Sequence, residues 1–405
     1  MNRIHSRFSS VEAVSHCDEL VNEILLRLPL DAVCKFKCVS KTWNSLISHP
    51  LFCTNYISQS KNSLLPLLGF FRSTRAVKDG YGSTLEVSFL QNCKERKFTS
   101  FDVIVDHLFL KASPEGLILC RLERYTVFKY YVCNPVTNQW FALPEPRNAP
   151  SSAGLCCEEC SSKDGDGVVH FKVILSIMEA RVGGTYDRLH IETFSSRTRE
   201  WSESFLTCPS EFSYEEVEES YVCHSVDGML YWKVSGQLAA YDPNMEENRI
   251  WLIELPPLCC KERKRGFFMD YILGHSSSSD GCLLRVALNE KLMIRVWELK
   301  KKLSSYSLSR IIPSSEWVLK EVVSHKNLAI GDSLPHFPPQ IRLIAFHPRN
   351  AKLLYLRRGR MVFCYDFRTR RLEPIQYHGN GTVSAKDRLV PYFQPPWRPS
   401  LPSFP

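Results

Sequence analysis

The spacing of apolar residues changes near residue 60, and this change divides the chain into two regions. In the first region, Leu20, Ile24 and Leu28 recur every four residues, and Val21 and Leu25 lie beside them. This spacing places all five side chains on one face of a helix and predicts an amphipathic helix.

Two further short helices are predicted after the first. Pro29 ends the first helix, because proline disfavours helical backbone in the residue before it. Leu30 and Asp31 open the second helix, and Ser40 can cap a third that ends just before Pro50. Residues 1–15 are polar and are expected to form a disordered N-terminus.

This helical region has more apolar side chains than it can bury by itself. A segment of about 40 residues forms only a small core, and helices of about ten residues are marginal when isolated in water. Part of its apolar surface must therefore face the second region or another protein.

Strand-like segments fill the second region, from residue 66 to residue 393. Short runs rich in β-branched and aromatic residues alternate with turn residues, as at 171–175 and 361–365. A strand, a tight turn and an aromatic residue recur at intervals of about 45–70 residues, as at 133–140 and 194–201. Radial stacking of four-stranded sheets would bury both faces of such units. We therefore expect a mainly β fold with a small α N-terminal domain, in which the β-propeller-like domain has six or seven blades.

Composition and charge narrow the set of partners. The net charge of +8 is mild for a chain of 405 residues and does not indicate a nucleic-acid partner. Basic clusters at 261–265, 300–302 and 368–371 are expected to be solvated loops, with an import signal or a phosphate contact as the alternative. No apolar run approaches the roughly 20 residues of a membrane span. No secretory signal is visible, so the 16 cysteines are expected to be thiols in the nucleus or cytoplasm.

Residues 16–57 resemble an F-box in the form found in plant F-box proteins. The specific strings are RLP at 27–29 and CVSKTWNSLISHPLF at 38–52. One departure is His16-Cys17, where the family usually has Leu-Pro. The resemblance implies a three-helix domain that docks on a Skp-type adaptor and, through it, on a cullin.

The resemblance also implies a set of adaptor-binding residues. The alternative is that many of them only form the core of the helical domain. The set consists of Leu20, Ile24, Leu25, Leu28, Pro29, Leu30, Val33, Phe36, Val39, Ser40 and Trp43.

After a linker at 58–65, residues 66–393 resemble the F-box-associated, kelch-like domain of the same plant proteins. The resemblance is based on the short sequences FSS at 194–196, DGMLYW at 227–232 and AFHP at 345–348. The resemblance implies the substrate-recognition subunit of an SCF-type (Skp–cullin–F-box) ubiquitin ligase, which holds an unknown target protein and is not itself an enzyme. A non-ligase interaction scaffold and a propeller-type hydrolase are the alternatives.

Candidate chemistry elsewhere is sparse, and no catalytic residue, cofactor or metal is expected. Cys157 and Cys160 form one Cys-x-x-Cys, but a structural zinc needs four ligands, so an exposed loop of thiols is expected at 156–160. The acidic run at 215–219 is expected to be a charged linker, or a contact for a basic target segment. His347 is expected at a strand end with local hydrogen bonds. The Pro-rich tail, 394–405, is expected to be a disordered end, with binding in a groove as the alternative.

Overall fold

The computed structural model describes most of the chain, with gaps. The described residues are 18–60, 64–78, 82–91, 94–101, 107–112, 116–124, 127–148, 150–158, 169–177, 185–213, 223–226, 228–234, 237–245, 249–256, 270–274, 282–290, 293–301, 315–324, 328, 341–375, 388–395 and 401.

Four helices, rather than the expected three, form the N-terminal domain within the described residues. They are α1 (Asp18–Leu26), α2 (Leu30–Phe36), α3 (Lys41–Ser48) and α4 (Pro50–Ser60). The sequence interpretation treated Pro50 as the residue that lies beyond the last helix. Instead Pro50 begins α4, because the first position of a helix needs no backbone N–H and suits the fixed φ of proline.

The strands form six four-stranded antiparallel sheets in the described part of the chain. The first sheet contains β1 (Leu67–Lys78), β2 (Gly82–Gln91), β3 (Lys94–Phe101) and β24 (Arg388–Phe393). The second contains β4 (His107–Ala112), β5 (Ile118–Arg124), β6 (Val127–Asn134) and β7 (Gln139–Ala142). The third contains β8 (Pro150–Cys157), β9 (Phe171–Ile177), β10 (Thr185–Ser195) and β11 (Glu200–Ser213).

The second half of the domain repeats the same arrangement. The fourth sheet contains β12 (His224–Val226), β13 (Met229–Val234), β14 (Gln237–Tyr241) and β15 (Trp251–Glu254). The fifth contains β16 (Asp270–Gly274), β17 (Cys282–Glu290), β18 (Met293–Lys301) and β19 (Ser315–Ser324). The sixth contains β20 (Ile341–His347), β21 (Asn350–Arg358), β22 (Met361–Asp366) and β23 (Arg371–Ile375).

Each sheet packs against the next, and the sixth packs against the first. Buried clusters join neighbouring sheets; for example, Phe141 of the second packs edge-on against Phe171 of the third, with ring centroids 5.3 Å apart. The sixth and first sheets meet at Val362, Phe70 and Leu389. Because β24 comes from the C-terminal part of the chain and pairs with β1, one sheet is completed by both ends of the domain. The fold is therefore a mainly β propeller preceded by a small helical domain.

The repeat seen in the sequence is the hairpin between the third and fourth strands of a sheet. Asn134 Oδ1 accepts a hydrogen bond from Val136 N at 2.9 Å, and Asp366 Oδ1 accepts one from Arg368 N at 2.8 Å. Such side-chain caps mimic a backbone turn and explain the recurrent Asn or Asp at this position. The outer strands are also joined between sheets, since Trp201 Nε1 donates to the Pro144 carbonyl at 2.9 Å.

Part of the Pro-rich tail is docked on the propeller, so the expected disordered end is wrong for its described residues. Pro395 is buried against Gly116, which has a φ of +89°. Leu401 is only 4% exposed and packs in the core between the second and third sheets. Its backbone N–H donates to Gln139 Oε1 at 3.0 Å. The alternative interpretation, that the tail binds a groove, agrees with these contacts.

Candidate functional site

The helical domain has its own hydrophobic core. Its buried residues come from all four helices and contact one another: Val21, Leu25, Leu26, Leu30, Val33, Ile47, Phe52 and Tyr56. The Tyr56 hydroxyl donates to the Leu28 carbonyl at 2.7 Å and so fixes the connection between α1 and α2. The fourth helix, absent from the sequence interpretation, therefore supplies both core volume and a hydrogen bond.

Side-chain capping orders the connection between α2 and α3. Ser40 precedes α3 with extended backbone, and its hydroxyl accepts a hydrogen bond from Trp43 N at 3.1 Å. Trp43 is half-buried and packs edge-on against Phe36, with ring centroids 5.3 Å apart. Val39 lies at this ordered connection, so its side chain is presented by a rigid backbone.

Four large apolar side chains of the helical domain remain exposed to solvent. Leu20 and Ile24 are each 48% exposed, Val39 is 59% exposed and Leu51 is 55% exposed. Leu20 and Ile24 are four residues apart on α1 and share one face. Pro29 is also exposed, and these five positions are called the exposed apolar set below. A folded monomer gains nothing from leaving such side chains in water, so this set is a candidate partner-binding surface.

The structure divides the eleven sequence-predicted adaptor residues into three groups. Leu20, Ile24, Pro29, Val39 and Ser40 are exposed, whereas Leu28, Phe36 and Trp43 are half-buried. Leu25, Leu30 and Val33 are at most 5% exposed and belong to the internal core, as the alternative interpretation of the set allowed.

Leu51 is the exposed apolar residue that the predicted adaptor set left out. It is the second residue of α4, the helix that the sequence interpretation missed. The signal that could have found it is Pro50 at the first position of a helix, followed by apolar residues at 51, 52 and 56.

Some of the other candidate residues lie on strands of the described part of the chain. Cys156 and Cys157 lie in β8 rather than in an exposed loop, and Cys156 is buried between the third and fourth sheets. Lys300 and Lys301 end β18 instead of forming a loop. Within the described ranges, no group of three or more His, Cys, Asp or Glu side chains could hold a metal ion.

Several sequence predictions lie outside the described residues. They are the N-terminus at 1–15, His16-Cys17, Cys160, the acidic run at 215–219 and the basic cluster at 261–265. Of the helices that the structure describes, none has the length and apolar character of a membrane span.

His347 attaches the linker to the propeller. It ends β20 and is buried, its Nδ1 accepts from Arg349 N at 3.1 Å, and its Nε2 lies 2.9 Å from the Leu65 carbonyl. A carbonyl only accepts, so Nε2 carries the proton and the ring is neutral. Burial, with a smaller contribution from Arg349, lowers the pKa of His347 against the opposing effect of the Leu65 hydrogen bond. Gln394 N also donates to the Pro66 carbonyl at 2.8 Å, so the chain is held at both residues before β1.

The geometry defines a class of proteins in which a helical interaction domain is joined to a β-propeller. Comparison with known proteins agrees with both parts. The F-box domain family matches residues 15–55, and the family described as F-box protein At3g26010-like, beta-propeller, matches residues 88–387. The second match covers more than half of the chain, so the protein belongs to this family of plant F-box proteins with a propeller.

Two relatives from Arabidopsis thaliana show how far the similarity extends. F-box protein At5g03970 is 28% identical over 412 aligned residues, which cover 98% of this chain and 91% of the relative. F-box protein At3g26010 is 27% identical over 369 residues, which cover 87% of this chain and 77% of the relative. The similarity therefore includes both the helical domain and the propeller.

Proposed function

We propose that this protein is the substrate-recognition subunit of an SCF-type ubiquitin ligase. The helical domain docks on a Skp-type adaptor, and through it on a cullin, while the propeller holds a target protein for ubiquitination. Ubiquitin transfer itself belongs to other subunits, so this chain acts as a non-catalytic receptor.

The observation that carries the proposal is the exposed apolar set on a domain with a complete core. The helical domain is folded without these side chains, so they are available for a partner. Leu28 and Pro29, which the family resemblance places at the adaptor, lie in the connection that Tyr56 fixes. Preorganisation of this kind lowers the ordering cost of binding.

Adaptor titration tests the proposal directly. The full-length chain is titrated with a Skp-type adaptor by calorimetry, and the double variant Ile24→Asp, Val39→Asp is compared with wild type. About half of each apolar side chain is available for burial, and full burial stabilises by about 1.5–3 kcal/mol. Placing two carboxylates in the interface adds a desolvation cost. We expect a total loss of about 2–4 kcal/mol, or roughly 30- to 1000-fold in affinity.

A matched control comes from the outer strand of the fifth sheet. Leu319 and Val322 are comparably exposed there, so Leu319→Asp, Val322→Asp makes the same chemical change away from the helical domain. This control should bind the adaptor as wild type does. Equal affinity for wild type and the Ile24, Val39 variant, with circular dichroism showing both folded, would refute adaptor docking through this set.

A receptor and a non-ligase scaffold differ in what happens to the bound protein. For the receptor, proteins held by the propeller should accumulate in plant cells when residues 1–57 are deleted, because recruitment to the ligase is lost. Unchanged turnover of those proteins would favour the scaffold. We place the activity in the nucleus or cytoplasm, which agrees with the nine cysteines that are thiols rather than disulfides within the described ranges.

A further inference from the structure

The charged residues of the helical domain are separated along the chain. Residues 18–23 contain three acidic residues and no lysine or arginine, whereas residues 32–60 contain three lysines and no Asp or Glu. The acidic part is partly neutralised, because Arg27 forms an ion pair of 3.4 Å with Glu23. The basic part lies at the connection from α2 to α3, where the exposed side chain of Val39 also lies. The three lysines are Lys35, Lys37 and Lys41.

The positive charge at this connection is not compensated within the helical domain. Among the residues that the structure describes, no carboxylate forms an ion pair with Lys37 or Lys41. The acidic residue nearest in sequence is Asp31, which lies one helical turn before Lys35 on α2. Asp31 therefore lies closer to Lys35 than to the other two lysines, and Lys37 and Lys41 are available to a partner.

Lys41 is placed against the electrostatics of its own helix. It is the first residue of α3, and the first turn of α3 has no acidic residue. The N-terminus of a helix carries a partial positive charge, which disfavours a cation there. Lys35 and Lys37 lie instead at the C-terminal end of α2, where a cation is favourable. The stability of the helical domain therefore does not explain the position of Lys41.

The backbone around Val39 is held in one conformation. Val39 N donates to the Phe36 carbonyl at 3.0 Å, and Ser40 caps α3. Val39 is 59% exposed, more than any other large apolar side chain that the structure describes. Two residue steps separate it from Lys37 and two from Lys41, so the Cα atoms of both lysines lie within about 7 Å of its own. A partner that buries Val39 therefore lies within reach of both ammonium groups.

We propose that the connection from α2 to α3 binds an acidic patch on the adaptor, in which Asp or Glu residues surround an apolar pocket for Val39. This inference rests on the proposed function, because it names the chemistry of the surface on which the helical domain docks. Lys37 and Lys41 pair with carboxylates of the patch, and the side chain of Val39 is buried between these pairs. Complementary charges of this kind speed the encounter of two proteins and fix their register.

A protein fits this surface better than a nucleic acid does. Single-stranded nucleic acids are held by aromatic side chains that stack on bases, together with a basic groove. The aromatic rings next to the connection, Phe36 and Trp43, are half-buried and pack edge-on against each other. An exposed valine between two lysines instead matches an apolar pocket with carboxylates at its rim.

The test compares two variants that each remove two positive charges. Lys37→Gln, Lys41→Gln changes the connection, whereas Lys129→Gln, Lys352→Gln changes two exposed lysines of the propeller and is the matched control. Each full-length variant is titrated with a Skp-type adaptor by calorimetry, and circular dichroism checks that it is folded. We expect about five- to thirtyfold weaker binding for the first variant, because two ion pairs are lost, and less than about twofold change for the control.

Salt dependence and cross-linking give readouts that a loss of apolar packing would not change. Raising the salt concentration from about 0.1 M to about 1 M shortens the screening length from about 10 Å to about 3 Å. The affinity of wild type should fall over this range, and that of Lys37→Gln, Lys41→Gln should fall less. A carbodiimide joins an amine to a carboxylate that it contacts, so it should link Lys37 or Lys41 to an Asp or Glu of the adaptor, identified by mass spectrometry.

The remaining outcomes overturn the proposal. Equal losses in the two lysine variants would mean attraction by net charge alone. Equal affinity of wild type and Lys37→Gln, Lys41→Gln, with binding still weakened by Ile24→Asp, Val39→Asp, would leave adaptor docking in place and remove the acidic patch. If wild type does not bind the adaptor, the proposed function fails and this inference fails with it. An oligoadenylate that displaces the adaptor and requires Lys37 and Lys41 would assign the surface to nucleic acid.

Discussion

The docking of the tail predicts a loss of folding stability in Leu401→Ala, and the magnitude of that loss can be worked out from the contacts of Leu401. Beyond Pro395, the structure describes one residue of the tail, Leu401, whose side chain fills part of the core between the second and third sheets. Leu401→Ala removes most of its apolar side chain while leaving the backbone hydrogen bond to Gln139 possible. The change therefore isolates the contribution of apolar packing.

The stability lost in Leu401→Ala depends on whether the tail can detach from the propeller while the sheets stay folded. Leu→Ala at a fully buried site costs about 2–5 kcal/mol when the cavity is retained. Leu401 instead lies in a terminal segment beyond β24, which can leave the propeller while the sheets stay folded. Its docking gains about 1.5–3 kcal/mol from burial and about 1 kcal/mol from the hydrogen bond, less the cost of ordering the tail. We expect Leu401→Ala to lower the free energy of unfolding by about 1–3 kcal/mol.

Urea unfolding and hydrogen exchange measure this effect together. Leu189→Ala is the matched control, since Leu189 is fully buried on β10 and cannot detach without opening the third sheet. Leu189→Ala should lower the free energy of unfolding by more than Leu401→Ala does. A chain truncated after residue 395 should lose about as much stability as Leu401→Ala does, and exchange should increase mainly in β5–β9.

Two results would refute this reasoning. If Leu401→Ala leaves both the unfolding free energy and the exchange of the second and third sheets unchanged, the tail is not docked in solution. If the truncated chain loses several times more stability than Leu401→Ala, then Leu401 is not the principal anchor.

Two further predictions concern contacts that join distant parts of the chain. Trp201→Phe keeps the ring but removes the donor to the Pro144 carbonyl, and should cost about 1 kcal/mol in urea unfolding; a loss below about 0.3 kcal/mol would mean that the bond is not formed in solution. Because the pKa of His347 is lowered below about 6.5, the unfolded chain takes up its proton first as pH falls. Unfolding free energy should therefore decrease from pH 6.5 toward the folded-state pKa, and His347→Phe should remove this part of the pH dependence; an identical pH dependence in both proteins would contradict it.

Local sequence patterns were sufficient to predict the features that depend on interactions between residues close in sequence. The four-residue spacing in α1 and the cap at Ser40 predicted helices at the observed places. The recurrent turn with Asn134 or Asp366 was visible because its hydrogen bonds close within two residues. The family resemblance of both domains is confirmed by the matches to residues 15–55 and 88–387.

Other features depend on contacts between residues far apart in sequence. Pairing of β24 with β1 and burial of Leu401 follow from closure of the propeller, which no local pattern encodes. The burial of Leu25, as opposed to the exposure of Ile24, depends on how α1 packs against α4. Helical periodicity gives an apolar face but does not say which of its residues a later helix covers.

The length of the linker limits how far the helical domain can lie from the propeller. The helical domain ends at Ser60, and the chain is held again at the Leu65 carbonyl by His347. Five residue steps span at most about 18 Å, even when fully extended. The end of α4 therefore stays within that distance of the Leu65 carbonyl. Because His347 ends β20, this limit tethers the helical domain beside the end of the sixth sheet where β20 turns into β21.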